Sequence, residues 1–298
     1  MTAQGNGLLL LNKKSGVTSF DSLKGVKKAF ATGKAGHTGT LDKFASGLLL
    51  VLVGRGVKLA PWFSGCAKEY IGTVRFGAET DTLDPEGVII AQGPIPSREE
   101  VEAVLGGFRG EILQVPPAYS AVHIKGRRAY ELVREGKEPE MKKRPVTIHD
   151  LEILSWTPPD AVIKVLCSAG TYIRSLARDI ALAAGSRASL AALTRIRIGD
   201  FRLEDSVEGE DRESLVKALR PLDRKLFDTL SFPCFFIDDR AAEGFLHGRP
   251  LEGLLSKTDI SAAGIAAAGV FRREGHKLLG VLESRNGKWG YGHVFADH

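Results

Sequence analysis

Long apolar runs are missing from this 298-residue chain. The longest purely aliphatic stretches, Leu8 to Leu11 and Leu48 to Val53, fall far short of the ~18 residues that a membrane-spanning helix requires, so no segment is expected to cross a bilayer. An export address is also missing, because no Lys or Arg precedes Lys13 and the four-leucine run is too short for a signal-peptide core. A cytoplasmic location is therefore expected. Cysteine is scarce: Cys66, Cys167 and Cys234 stand far apart with no C-x-x-C pair, which argues against a disulfide framework and against a thiolate metal site. Reduced, mostly buried thiols are expected. The seven histidines form no H-x-x-x-H or H-E-x-x-H spacing, so no helix face offers two imidazoles to a metal, and none is expected. The Gly-Lys pairs at Gly33, Gly136 and Gly287 are followed by Ala, Glu and Trp, which excludes a Walker loop. Gly54-x-Gly56 continues to Leu59 where a dinucleotide fingerprint needs its third glycine.

What is present is an ordinary globular composition, 43% hydrophobic and 26% charged. The length gives a prior of two domains of ~150 residues. The net charge of +5 is unevenly placed: residues 1–60 hold nine Lys and Arg against only Asp21 and Asp42. Charge gathered in this way fits a polyanionic partner such as nucleic acid, and a solvated basic surface fits it equally well.

Periodicity predicts a buried strand over Gly7–Asn12 and a helix from about Ser19 to Phe30, with Thr18 as N-cap and Phe20, Leu23, Val26 and Phe30 on its apolar side. Gly33 to Gly47 has neither helical nor strand periodicity and reads as a shaped loop. Leu48–Val53 reads as a central strand, followed by a short helix near Val57–Phe63 and a strand over Tyr70–Phe76. Thr80–Gly87 is rich in turn residues, Ser97–Leu105 has capped helical character, and Glu111–Gln114 looks extended. A basic insertion spans Pro116–Pro145. Strands are expected near Val146–Trp156, Ala161–Cys167 and Ala188–Ile198, and helices near Tyr172–Ala184 and Arg212–Leu219. The end of the chain, Phe232–Phe295, has the short extended runs and glycine turns of a small β module.

The unusual chemistry gathers around His37 and Asp42, where Gly36, Gly39 and Gly47 let backbone approach a ligand. Taken alone, a loop aspartate is more often a turn former. However, Gly36-His37-Thr38-Gly39-Thr40-Leu41-Asp42, continuing Ala45-Ser46-Gly47-Leu48-Leu49, resembles the catalytic loop of the TruB family of tRNA pseudouridine synthases. The resemblance extends in order to Leu9–Lys13, Lys68-Glu69-Tyr70, Thr80–Asp84, Pro116–Ala121 and Gly170–Arg174, roughly residues 7–200.

The resemblance implies isomerisation of uridine to pseudouridine at position 55, in the T-loop of tRNA. The C1′–N1 bond is cleaved and the base rejoined through C5, with no cofactor, metal or ATP. It gives Asp42 the essential catalytic role, Arg174 the cation paired with it, and Tyr70 the ring against the target base. Tyr172 and Leu193 match pocket positions, His37 matches the histidine associated with the rearranged T-loop, and Lys13, Arg127 and Arg128 are expected at the RNA. An ionised carboxylate suits the chemistry if a cation keeps its pKa low, and the stacked uridine must be extruded before it can react. Many relatives have Pro where this chain has Lys14 and Lys43; losing Pro frees φ and restores an N–H at each position. The implied fold is α+β: a catalytic domain over residues 1–225, a mixed sheet flanked by helices with the 116–145 insertion closing on RNA. A small PUA-type β-barrel over residues 226–298 would bind RNA as well. A monomer is expected. A non-catalytic RNA-binding or tRNA-folding protein on the same scaffold is the rival reading, and joint retention of Asp42, Tyr70 and Arg174 argues against it.

Overall fold

The computed structural model describes residues 5–124, 126–137, 139–209, 211–254 and 265–295. Its centre is one mixed sheet with main strands in the order Val207–Glu208, Gly7–Lys13, Ser46–Val53, Ala188–Ile198, Lys68–Phe76, Asp160–Cys167, Arg144–Thr157 and Gly110–Gln114. Most neighbours run antiparallel, but Ser46–Val53 lies parallel to Ala188–Ile198. The uninterrupted aliphatic runs now have a cause. Leu8, Leu10, Leu48, Leu50 and Leu52 face one apolar cluster, while Leu9, Leu11, Leu49, Val51 and Val53 face another. Both faces of these strands are covered, so alternation with polar residues disappears.

The Leu23–Ala29 helix and Leu215 cover one face of this half of the sheet. The helix is shorter than expected, because Thr18 and Asp21 close a separate turn through a 3.0 Å backbone-to-hydroxyl bond before it begins. Phe20 consequently leaves the apolar side and is 65% exposed, with the Lys27 ammonium 5.0 Å from its ring centre. The other half of the sheet packs on the Ile173–Ala183 and Arg98–Leu105 helices, around Val74, Ile163, Val165, Leu176 and Ile180. Ser97 caps the latter helix with a reciprocal Glu100 bond.

Part of the expected loop is extended: Ala35–His37 pairs antiparallel with Val51–Val53, which leaves Thr38–Ala45 as the free arch. Past Thr80, the chain returns as Ile89–Gln92 to form a small hairpin with Ala78–Thr80. The 116–145 insertion carries the His123–Ile124/Arg127–Arg128 hairpin and a short Ala129–Arg134 helix. Cys167 is buried, but Cys66 and Cys234 are only half-buried, and all three are free thiols.

The barrel expected at the end of the chain is, among the described residues, an open four-stranded sheet in the order Cys234–Ile237, Ala267–Arg272, Leu278–Arg285, Lys288–Val294. Its two faces explain why it need not close. Ala267, Phe271 and Val281 join Leu8, Leu50, Phe63 and Phe227 in one cluster, while Ala268, Val270 and Leu282 pack on Ala242 and Phe245 of the Asp239–Leu246 helix. No helix among the described residues is long and apolar enough to cross a membrane.

Candidate active site

The site lies where the sheet parts. The ladder between Ser46–Val53 and Ala188–Ile198 is short, pairing Ser46 with Thr194 and Gly47 with Arg195. Gly47 makes that contact possible: its φ is +104°, and a Cβ there would sit 2.4 Å from the Arg195 carbonyl oxygen. Just before it, the Thr38–Ala45 arch is held from several sides. Ser19 Oγ donates to the Leu41 carbonyl at 3.0 Å and accepts the Leu41 N–H at 2.9 Å. The Gly16 N–H donates to the Lys43 carbonyl at 2.8 Å. Arg195, 1% exposed, donates to the carbonyls of Leu48, Gly39 and Thr40 at 2.8, 3.1 and 3.4 Å. A loop fixed in this way presents the Asp42 carboxylate in one orientation.

Opposite it stands Arg174, in the first turn of the Ile173–Ala183 helix and only 4% exposed. Its Nη2 donates to Asp42 Oδ1 at 3.1 Å, and its Nε lies 2.9 Å from Oδ2, off the N–H direction. The remaining donors go to Asp84 Oδ2 at 3.2 Å, the Thr82 carbonyl at 2.7 Å and the Tyr119 carbonyl at 3.0 Å. One buried guanidinium thus serves two carboxylates. Asp84 is itself fixed by the Thr82 hydroxyl at 2.6 Å and the Glu86 N–H at 3.0 Å. The start of the helix is held by the buried Gln114 amide, which accepts the Tyr172 N–H at 2.8 Å and donates to the Tyr172 carbonyl at 3.1 Å.

Burial pushes the Asp42 carboxyl above its ordinary 3.8; Arg174 pulls it back, Asp84 adds to the rise, and Lys13 opposes it. About a third of the side chain is exposed, but it opens into a pocket, so loss of hydration still prevails. The cation therefore moderates the shift without reversing it, contrary to the expectation that it keeps the pKa low.

The pocket is a cavity of about 400 Å³, and Asp42, Tyr70, Tyr172, Arg174 and Leu193 all line it. Tyr70 is 7% exposed, on the strand face shared by Lys68 and Val74, and Arg195 lies opposite it in the cross-strand register. Five residues singled out from the sequence across 150 positions are thereby brought to one cavity. The others stand elsewhere. His37 ends the short Ala35–His37 strand beside the lining residue Thr38, and burial followed by the Arg195 charge lowers its pKa.

Lys13 is 1% exposed, which corrects its expected position at the RNA. Its ammonium donates to the carbonyls of Val17, Lys14 and Lys43 at 2.6, 3.0 and 3.4 Å, and burial lowers its pKa to about 8. It braces the Asp42 loop from beneath. Arg127 and Arg128 are exposed on the insertion hairpin, Arg127 paired with Glu135 and Arg128 beside the Tyr130 ring.

Sequence reading missed Asp84, Gln114, Lys68 and Arg195. For the last two a signal existed. Lys68 is in phase with the buried Tyr70, Val74 and Phe76, and Arg195 with Leu193, so each is a cation at an inward strand position. Asp84 and Gln114 act through contacts with residues 90 and 58 positions away, which no local pattern encodes.

Comparison with known proteins identifies the family. Residues 27–173 match the N-terminal domain model of the TruB family pseudouridylate synthases. The chain is 46% identical over 231 residues to the tRNA pseudouridine synthase B of Borreliella burgdorferi (strain ZS7), covering 75% of this chain and 82% of that protein. It is 40% identical over 274 residues to the protein of the same name from Chromohalobacter salexigens, covering 90% and 86%. Among solved structures, the archaeal box H/ACA sRNP Nop10-Cbf5 complex shares the fold, with a TM-score of 0.70 at 23% identity over 99% of this chain and 87% of the matched one. By the extent and identity of its curated relatives, the chain belongs to the TruB family of pseudouridine synthases.

Proposed function

We propose that the protein converts uridine to pseudouridine in tRNA, with the uridine at position 55 of the T-loop as its target. The observation that carries the reading is the buried Arg174 engaging Asp42 at the wall of a cavity lined by Tyr70. An aspartate beside a base-sized cavity serves as nucleophile or as the anion that assists glycosidic cleavage. Tyr70 offers an apolar ring for the extruded base, an interaction worth ~1–3 kcal/mol in comparable contacts. Arg174 orients the carboxylate and opposes its neutralisation. Tyr172 and Leu193 complete the walls, and His37, outside the cavity lining, is assigned to the space vacated by the flipped base.

The insertion and the end of the chain hold RNA in this reading. Residues 116–145 carry eight Lys and Arg against four Glu, which suits phosphate contact, and residues 226–298 form a second RNA-binding module packed on a catalytic domain of residues 1–225. The enzyme acts as a monomer in the cytoplasm and needs no cofactor or metal. Loop RNA is read through shape and splayed bases, which suits a concave pocket beside a basic arm. The test is pseudouridine mapping on unmodified tRNA and on an isolated T-arm, incubated with purified protein without cofactors and with EDTA. Conversion at position 55 on both is expected; absence of conversion, or conversion restored only by added zinc, overturns the reading.

A further inference from the structure

Lys68 and Arg195 are two buried cations with no part yet in the chemistry, Arg195 serving above only to hold the arch. Lys68 is 8% exposed and Arg195 1% exposed, and both line the cavity that holds Asp42. Lys68 donates only to the carbonyls of Ser64 at 2.9 Å and Cys66 at 2.7 Å, which leaves one N–H without an acceptor among the described residues. The bonds from Arg195 to Leu48, Gly39 and Thr40 also end on backbone carbonyls, and its guanidinium engages the Tyr70 hydroxyl besides. The carboxylate next to Lys68 in sequence, Glu69, points to the opposite strand face and is held by Arg197 and Lys164. Neither cation therefore has a carboxylate partner among the described residues. Burying charge without a counter-ion is unfavourable, and Lys68 shows it, its pKa lowered by burial first and by Arg195 second. A cavity that keeps such a pair suits a ligand that brings negative charge to it.

The strand register specifies which part of a ligand would meet them. Lys68 and Tyr70 share one face of their strand, and Arg195 lies across from Tyr70. A base held on the Tyr70 ring thus lies in the cavity that Lys68 also lines, on the strand face the two residues share. When the C1′–N1 bond breaks, its electron pair leaves with the base and spreads over N1, O2 and O4; if Asp42 instead adds at C6, the charge collects on O4. In both routes the uracil ring becomes anionic before C5 bonds to C1′.

We propose that Lys68, backed by Arg195, stabilises the negative charge on the departing uracil, as a preorganised electrophilic site opposite the Asp42 carboxylate. Such a site acts in the transition state more than in the bound ground state. The proposal rests on the reading of the protein as a pseudouridine synthase.

The test compares Lys68→Gln and Lys68→Arg with the unaltered enzyme, in single-turnover reactions on T-arm RNA carrying uridine or 5-fluorouridine at the target. Gln can still donate to both carbonyls but lacks the charge; Arg keeps the charge. Fluorine stabilises the uracil anion, so the need for Lys68 falls, and the readout on that substrate is loss of 5-fluorouridine. Lys68→Gln is expected to slow uridine conversion at least about 100-fold with KM changed less than about threefold. The penalty should shrink at least about tenfold on 5-fluorouridine, with Lys68→Arg staying much closer to the unaltered rate. Equal penalties on the two substrates, a defect confined to KM, or an unchanged rate overturns the proposal. If Lys68→Gln fails to fold, as seen by thermal melting, the decisive comparison is Lys68→Arg. Equal slowing on both substrates in that folded variant overturns the proposal, while retention of rate on both supports it. An unaltered enzyme that makes no pseudouridine defeats the functional reading instead, and the two failures are thereby distinguished.

Discussion

Arg174 bridges a buried carboxylate and an open one: Arg174 and Asp84 are 4% and 6% exposed with 3.2 Å between Nη1 and Oδ2, whereas Asp42, 2.9 Å and 3.1 Å from Nε and Nη2, is 36% open. Asp84 therefore positions the guanidinium that in turn orients the carboxylate. Asp84→Asn keeps the volume but removes the charge, and is expected to destabilise the fold by roughly 1.5–3 kcal/mol in urea unfolding. It should also lower single-turnover rates with little change in KM. Unaltered stability and rate would remove the positioning role.

The acid limb of activity follows from the upward shift of Asp42. The carboxylate is needed ionised, its folded-state pKa lies above 3.8, and so activity is full above that raised value and is lost as pH falls through it. Arg174 lowers this pKa and Asp84 raises it. In a pH profile of kcat/KM, Arg174→Lys is expected to move the acid limb to higher pH, because a compact ammonium cannot reproduce the guanidinium fork, and Asp84→Asn to lower pH. Limbs that shift together in one direction would contradict the assignment.

Much of the fold was legible in the sequence because strand parity is a strong local signal. Tyr70 could be placed on an inward face without knowing its neighbours, whereas Leu193 was reached only through the resemblance, because a bulge between Leu190 and Ala192 breaks the alternation before it. The shorter Leu23–Ala29 helix was not legible, since the Thr18–Asp21 turn uses the same residues that would cap a longer one. The Asp84–Arg174 contact was hidden by its 90-residue separation. Closure of the C-terminal module was misjudged because its short strands and turns look alike in a barrel and in a sheet covered on both faces.

Gly47 joins the two halves of the sheet at a φ that disfavours other residues and at a distance that leaves no room for a side chain. Gly47→Ala is expected to destabilise the protein by about 2 kcal/mol or more and to disturb the adjoining Asp42 loop, lowering turnover of whatever remains folded. Denaturant unfolding at neutral pH reads the first effect directly. A neutral substitution would mean that the strands separate without consequence.

On the insertion, Arg127 is already paired with Glu135, whose pKa it helps to lower to about 2, while the Arg128 guanidinium meets the Tyr130 ring and hydroxyl and no carboxylate among the described residues. Replacing Arg128 with Ala should flatten the dependence of log binding constant on log salt by up to ~0.7, with a smaller effect at Arg127. Equilibrium binding to T-arm RNA between low and moderate salt checks both. Identical slopes in all three proteins would take the hairpin away from the RNA.

The most direct measurement is single-turnover pseudouridine formation by Asp42→Asn on unmodified T-arm RNA, with binding measured on the same preparation. The account predicts a rate lowered by at least ~10⁴-fold with RNA affinity largely retained, since Asp42 acts on the sugar and base after capture. Near-normal pseudouridine formation by that variant would contradict it.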